Sequence, residues 1–306
     1  PFENRKTEWE KVVLYPTGQY YLFDAPAGYG KTALLTQQIQ KEFSKRQWLN
    51  AYISSRECQT LSEIFWELAK ALDIVPIVYV DNPHRTGVEI GKAVARQWES
   101  YKSEEKPQGL AILFDIDLDF QEGFMPTLQA LVEDVIPGIW DGLTQNSEFF
   151  GLAPNNYSIV VAGRYLAVKI REFNYSYQFD ITQLRPFDYQ VTRSVCARFI
   201  EHGLIKDGTE RDDFAAHLLF HSGGHPRCMA RILELFIESG DPPVDFFKFH
   251  QNAIERIAYE EADWVRWSIQ RDWRKTFDAL CIYRRFDYAL LGKLLKQDLI
   301  WHGLVD

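Results

Sequence analysis

The stretch DAPAGYGKTALL, residues 24–35, follows the apolar-aromatic run QYYLFD of residues 19–24. It leads into Leu34, Leu35, Ile39 and Phe43, which recur at helical spacing. A strand, a glycine-bearing turn and a helix over residues 31–43 are therefore expected. Eight of these residues, Ala25-Pro26-Ala27-Gly28-Tyr29-Gly30-Lys31-Thr32, follow the pattern G-x-x-x-x-G-K-[ST], with Ala25 in place of the first glycine. The residue types match the chemistry of a phosphate-binding loop. Glycines let backbone N–H groups turn towards phosphate oxygens. The helix starting near Lys31 brings the positive end of its dipole to the same anion. Lys31 then reaches the β- and γ-phosphates, and the Thr32 hydroxyl ligates Mg²⁺. Ala27, Gly28, Tyr29, Gly30 and Ala33 complete the expected nucleotide contacts. The simpler reading is a glycine turn capping an ordinary strand–helix unit. The strand before the loop and the amphipathic helix behind it favour phosphate binding.

Outward from the loop, strand-like runs recur at residues 48–54, 110–115, 157–162 and 177–181. Helices are expected between them. Thr60 and Glu63 form a capping-box pattern ahead of the apolar face Leu61, Ile64, Phe65, Leu68 and Leu72. Residues 88–98 and 125–135 also carry helical spacing, whereas residues 137–156 read as an irregular loop. Strands alternating with helices predict an α/β fold with a parallel sheet. The pattern changes after Gln183. Residues 188–202, 211–221 and 227–237 read as helices, and a further helical series starts near Ala253. A boundary is expected near residue 182.

A phosphate loop needs a carboxylate at the end of a neighbouring strand to hold Mg²⁺ through water. LAILFDIDLDF, residues 110–120, supplies Asp115. The position directly after it, where many such ATPases carry a second acid, is Ile116. In an extended chain Asp115, Asp117 and Asp119 share one face. Asp117 then either orients the attacking water or is, with Asp119, a solvated loop residue.

The net charge over 306 residues is −9, which argues against a general nucleic-acid coat but not against a local basic patch. Cys58, Cys196, Cys228 and Cys281 lie far apart and suggest a reducing, cytoplasmic setting. No run reaches the ~18 apolar residues of a membrane span, and no signal peptide is visible. The chain opens at Pro1 rather than Met, so it reads as a piece of a longer protein with a domain upstream.

APAGYGKTALL resembles the phosphate loop of the STAND class of signal-transduction ATPases, which includes NACHT, apoptotic-type and maltose-regulator-like members. Other stretches are similar to this class and fall in its order. FENRKTEWEKV, residues 2–12, is similar to the entry segment, with Asn4 where a glycine is usual. SIVVAGR, residues 158–164, resembles the strand that ends in a sensor arginine, here Arg164. LRPFDYQVTRSV resembles the entry to a helical subdomain, and SGGHPRCMARIL carries a glycine-x-proline motif at Gly224-His225-Pro226. TFDALCIYRRFDYALLGKLL looks like the opening of a winged helix.

The resemblance implies a P-loop NTPase sheet domain over residues 1–182, a helical lid over 183–256 and a partial winged-helix domain over 257–306. It implies ATP/ADP and Mg²⁺ as cofactors and slow hydrolysis that resets a switch. Nucleotide exchange would control assembly with further copies and with effector and sensor domains outside this chain, in prokaryotic defence or regulation. Arg164 would sense the γ-phosphate, Phe2 and Arg5 would lie near the adenine, and Pro226 would pack on base or sugar. Two alternatives stand beside it: a AAA+ DNA-handling ATPase of the origin-recognition type, and a scaffold that holds nucleotide without hydrolysing it.

Two further clusters invite chemistry. His217, His221 and His225 are spaced by four, with Cys228 close behind. Gly223 and Gly224 are expected to end the helix before His225, so ordinary helix-surface or core histidines are favoured over a metal site. Arg266, Arg271, Arg274 and Lys275 alternate with Trp264, Trp267 and Trp273. Neighbouring acids dilute their charge and favour a packed helix over a nucleic-acid contact.

Overall fold

In the computed structural model, the described residues are 5–14, 20–75, 78–79, 81–101, 104, 106–116, 124–145, 157–164, 166–174 and 178–268. The chain divides into two compact units, Pro1–Ala25 with Gly30–Arg185, and Pro26–Tyr29 with Pro186–Asp306.

The first unit is built on a five-stranded parallel sheet. Its strands are β1 (Tyr20–Asp24), β2 (Leu49–Ser54), β3 (Leu110–Ile116), β4 (Tyr157–Gly163) and β5 (Phe179–Gln183), in the spatial order β2-β3-β4-β1-β5. β4 lies between β1 and β3, pairing Leu22 with Val161 on one side and Val160 with Leu113 on the other. β1, β3 and β4 are buried along their whole length. That explains their near-continuous apolar sequences, as expected of parallel strands covered on both faces.

Helices α1 (Lys6–Leu14), α2 (residues 31–45), α3 (Leu61–Ala71), α4 (Pro83–Ser100), α5 (residues 125–144) and α6 (Leu166–Ile170) accompany the sheet. The capping box that opens α3 is formed: Thr60 Oγ1 accepts the Glu63 N–H, and the Glu63 carboxylate accepts the Thr60 N–H. Asn82 caps α4 and Pro83 begins it, so that helix starts five residues before the predicted Val88. α2 widens into a π-helical turn over Leu34–Ile39, and α5 does so over Leu131–Val135. The wider turn puts residues five apart on one face, so that Leu34 and Ile39 are both fully buried.

The expected loop at residues 137–156 is corrected in its first part, because Ile136–Thr144 is helical. Pro137 falls just after the widened turn, where its missing N–H is accommodated. Gly138 and Gly142, which read as loop formers, are instead the contact face against Gly87 and Gly91 of α4. A Cβ on Gly87, Gly91, Gly138 or Gly142 would overlap a backbone carbonyl oxygen of the facing helix, on Val135, Ile139, His84 or Val88 respectively.

The second unit contains α7 (Tyr189–Glu201), α8 (Thr209–Ser222), α9 (Pro226–Ser239), α10 (Pro243–Phe249) and α11 (Gln251–Ser268). Phe214 of α8 meets Phe236 of α9 and Phe247 of α10 at ring-centroid distances of 4.7 and 5.0 Å. Each such fully buried aromatic contributes about 1.5–3 kcal/mol. Gly223, left-handed at φ 60°, ends α8. The expected winged helix falls mostly on residues 269–306, outside the described residues.

Candidate functional site

β1 delivers the chain to the glycine loop at the C-terminal edge of the sheet. The start of the loop is fastened twice to neighbouring strands. The Ala25 N–H donates to Gly163 O at 3.2 Å, and the Leu184 N–H donates to Asp24 O at 2.9 Å. The Asp24 carboxylate is buried and accepts the N–H groups of Leu166 and Ala167 at 3.1 and 3.3 Å, which caps α6. Asp24 therefore fixes the end of β1 to the chain that follows Arg164.

Gly28 and Gly30 both have φ of 79°, a left-handed conformation that L side chains rarely adopt. Gly30 immediately precedes Lys31, where α2 begins, and its carbonyl accepts the Leu34 N–H at 2.8 Å. The Lys31 side chain is buried, and its Nζ donates to Ala25 O at 2.7 Å. Its ammonium is thus held against the loop.

Thr32 and Asp115 meet across the sheet. Thr32 Oγ1 donates to Asp115 Oδ2 at 2.6 Å. The Tyr52 hydroxyl donates to the same oxygen at 2.9 Å, and burial with the Asp115 charge drives the Tyr52 pKa upward, so that the phenol stays protonated. Asp115 is buried at the end of β3, beside Ile116. The set offers a hydroxyl and a carboxylate, hard oxygen donors that suit Mg²⁺.

Arg164 directly follows β4, between the ends of β1 and β3, and is buried. Ligands of open parallel sheets bind at this edge, beyond the strand C-termini. Arg5 is also buried. Its guanidinium donates to Glu8 Oε1 at 3.1 Å and to Arg185 O at 2.8 Å, tying the entry segment to the chain after β5. Phe2, Asp117 and Asp119 lie outside the described residues.

In the second unit, Pro226 is buried in the first turn of α9, and His225 is the N-cap. Residues 26–29 belong to this unit. His225 Nε2 lies 3.0 Å from Ala27 O, and the Arg227 N–H donates to Gly28 O at 3.2 Å. His217 and His221 instead lie along α8 and stack on Phe247 at 5.2 and 5.5 Å. Among the described residues no group of three or more His, Cys, Asp or Glu could hold a metal ion. The aromatic-basic cluster around Arg266 and Trp267 lies beyond the residues whose side chains are described. No helix among the described residues is long and apolar enough to cross a membrane.

Tyr52, His225 and Arg227 were not singled out as site residues from sequence. For Tyr52 there was little local signal, because β2 also carries Asn50 and Ser54. For His225 the signal was the order Gly-Gly-His-Pro, a helix stop followed by an N-cap position. Nothing local marks Arg227, which acts here through its main chain.

No protein-family model matches the chain, and no curated protein matches it. Solved structures do. The chain is similar to the ORC2 protein of Aeropyrum pernix in ADPNP–ADP complexes, with a TM-score of 0.51 and 13% identity, covering 96% of this chain and 85% of that one. It is also similar to Drosophila ORC bound to DNA, with a TM-score of 0.47 and 15% identity. That match covers 96% of this chain and 66% of the Drosophila one. Cdc6p from Pyrobaculum aerophilum matches with a TM-score of 0.45 and 15% identity, over 97% of this chain and 80% of that one. Identity this low speaks for fold alone, and of the three the ORC2 match is close enough in shape to carry that statement. The fold is a P-loop-type α/β fold, a parallel sheet with a helical C-terminal part.

Proposed function

We propose that this chain is a nucleotide-binding module of the P-loop ATPase kind, which takes ADP and ATP with Mg²⁺ and passes its nucleotide state to partner copies and attached domains. The observation that carries this reading is the Thr32–Asp115 hydrogen bond at 2.6 Å. It joins the first turn after the glycine loop to Asp115, a carboxylate buried near the end of β3.

In this reading the loop from Ala27 to Ala33 receives the phosphates through main-chain N–H groups, and Lys31 adds the cation. Thr32 holds Mg²⁺ directly and Asp115 holds it through water; bound there, the metal neutralises charge on the phosphate oxygens. Arg164 responds to the terminal phosphate from the end of β4. Phe2 and Arg5 serve the adenine, and Pro226 serves base or sugar. Asp117 orients the attacking water in place of an acid at position 116. Turnover is expected to be slow, because Ile116 leaves that role to a residue two positions on.

Of the finer readings, the AAA+ origin-recognition type is favoured. The likeness to ORC2 over nearly the whole chain supports it. The STAND-type switch is supported by the order of the sequence motifs from residues 2–12 to Gly224-His225-Pro226.

The test uses the purified chain. It is denatured and any released nucleotide identified, and phosphate release from added ATP is then followed with Mg²⁺. Nucleotide binding that Lys31→Met weakens supports the module; no binding by the wild type sinks it. Duplex DNA binding that falls steeply with salt supports the origin-recognition reading. Retained ADP with no duplex binding supports the STAND-type switch instead.

A further inference from the structure

Two residues at the start of α9, His225 and Arg227, bear on the centre of the glycine loop. His225 makes two hydrogen bonds with opposite requirements. Its Nδ1 accepts the Cys228 N–H at 3.2 Å, which caps α9. Its Nε2 lies 3.0 Å from Ala27 O. A carbonyl oxygen can only accept, so Nε2 carries the hydrogen, while Nδ1, being the acceptor, does not. The two contacts together select a single neutral tautomer. One residue further on, the Arg227 N–H donates to Gly28 O at 3.2 Å. The Tyr29 ring meets the imidazole edge-on, with centroids 5.2 Å apart. A Cβ on Gly28 would overlap the imidazole itself.

Peptide geometry turns these contacts into a statement about the loop's donors. A trans peptide is planar and points its C=O and N–H to opposite sides, and no cis peptide occurs among the described residues. The Ala27 carbonyl shares its plane with the Gly28 N–H. The Gly28 carbonyl shares its plane with the Tyr29 N–H. Holding both carbonyls on His225 and Arg227 therefore directs the Gly28 and Tyr29 N–H groups away from the start of α9. These are two of the main-chain donors that a phosphate loop offers to an anion.

We infer that His225 is a positioning residue for nucleotide phosphate: by holding the Ala27 carbonyl it sets the Ala27–Gly28 peptide plane and presents the Gly28 N–H to the phosphate chain of ADP or ATP. This rests on the nucleotide-binding reading above and adds to it a residue outside the glycine-lysine motif. The side chain also explains why position 28 is glycine for a second reason besides its φ: the space that a side chain would need is filled by the imidazole.

Two substitutions separate the two bonds. Asn at 225 keeps an acceptor at the height of Nδ1 and is a strong N-cap, but it is too short to reach Ala27. Gln at 225 carries a donor at the reach of Nε2 and gives up the cap. ADP and ATP affinities are measured by calorimetry with Mg²⁺ on the purified chain, with adenosine as a phosphate-free probe and thermal melting as the measure of folding. His225→Asn is expected to melt like the wild type and to bind ADP about three- to tenfold more weakly, the loss of one neutral hydrogen bond. Its adenosine affinity is expected to be unchanged. His225→Gln is expected to melt lower and to keep ADP affinity within about twofold of the wild type. The reverse order, with Asn binding normally and Gln weakly, would make His225 a helix cap alone and overturn the inference. Equal affinity in both variants overturns it too. If His225→Asn does not fold, the comparison passes to His225→Ala and His225→Gln, and Gln must restore the affinity that Ala loses. A wild type that binds no ADP defeats the nucleotide reading itself, whereas a wild type that binds ADP as tightly as His225→Asn defeats only the role of His225.

Discussion

Thr32 and Asp115 lie 83 residues apart in the chain, yet the hydroxyl of one donates to the carboxylate of the other at 2.6 Å. Asp115 thus accepts two hydroxyls on one oxygen, from Thr32 and Tyr52. Asn at position 115 keeps an oxygen that can accept both, so the fold is expected to survive while the charge is lost. Asp115→Asn should then lower the gain in ADP affinity that Mg²⁺ brings, and ATP turnover with it, by about 10–100-fold. Calorimetry with and without Mg²⁺, together with phosphate release, checks this. An undiminished response to Mg²⁺ would remove Asp115 from the metal site.

Lys31 gives a second test of the proposed nucleotide site. Its Nζ donates to Ala25 O, so the ammonium is held at the loop by the loop's own carbonyl. Met at position 31 keeps most of the buried stem and deletes the cation. A hydrogen bond to a charged group contributes about 1.5–3 kcal/mol, so Lys31→Met should weaken ATP binding about 10–100-fold with little change in melting temperature. A variant that binds ATP like the wild type would return the glycine loop to an ordinary strand–helix turn.

The sheet and the loop were legible because their signals are local. β1, β3 and β4 are short apolar runs, and the glycines and lysine between β1 and α2 have fixed spacing. The capping box at Thr60 and Glu63 was legible for the same reason. Helix Ile136–Thr144 was not, because its glycines serve a partner helix whose facing glycines lie 51 residues earlier in sequence, and they carry no local trace of it. Tyr52 escaped because its partner Asp115 is 63 residues distant. For His225 the helix stop was legible, since Gly223 ends α8 as expected, but its capping of the next helix was not, because its reach to Ala27 links residues 198 apart.

The close pairing of α4 and α5 gives a prediction whose sign is diagnostic. At an exposed helix position, Gly→Ala stabilises by roughly 0.5–1 kcal/mol, because glycine loses more freedom on folding. At Gly91 the added Cβ would overlap the Ile139 carbonyl oxygen and lie 2.9 Å from the Gly142 Cα. Neither is a flexible side chain that can swing aside, so the helices must separate. Gly91→Ala is expected to destabilise by about 1–3 kcal/mol, the cost of overpacking a well-packed contact. Urea unfolding monitored by circular dichroism measures it, and a stabilised variant would contradict the helix pairing described here.

Buried tyrosines set the response to alkali. Burial raises the pKa of Tyr20 and of Tyr157 above the ordinary tyrosine value, with Asp141 adding to the shift of Tyr20, and Tyr20 adding to that of Tyr157. Tyr52 is raised as well. In the unfolded chain these phenols ionise near ~10. Above that pH the unfolded state releases protons that the folded state still holds, so stability falls as pH rises. Below it the tyrosines leave stability independent of pH. Tyr157 adds a second effect. Its hydroxyl is buried with no hydrogen-bond partner among the described residues, while its ring packs on Trp140 at 5.1 Å. A buried unsatisfied hydroxyl costs about 1–3 kcal/mol, so Tyr157→Phe should keep the ring packing and gain about 1 kcal/mol at pH 7.5. The same change deletes one ionising group, so the variant should also lose less stability than the wild type between pH 7.5 and pH 10.5. Urea midpoints at the two pH values measure both effects. A Phe variant that is weaker at pH 7.5 would mean that the hydroxyl has a partner, and an unchanged slope would mean that Tyr157 ionises in the folded chain as readily as in the unfolded one.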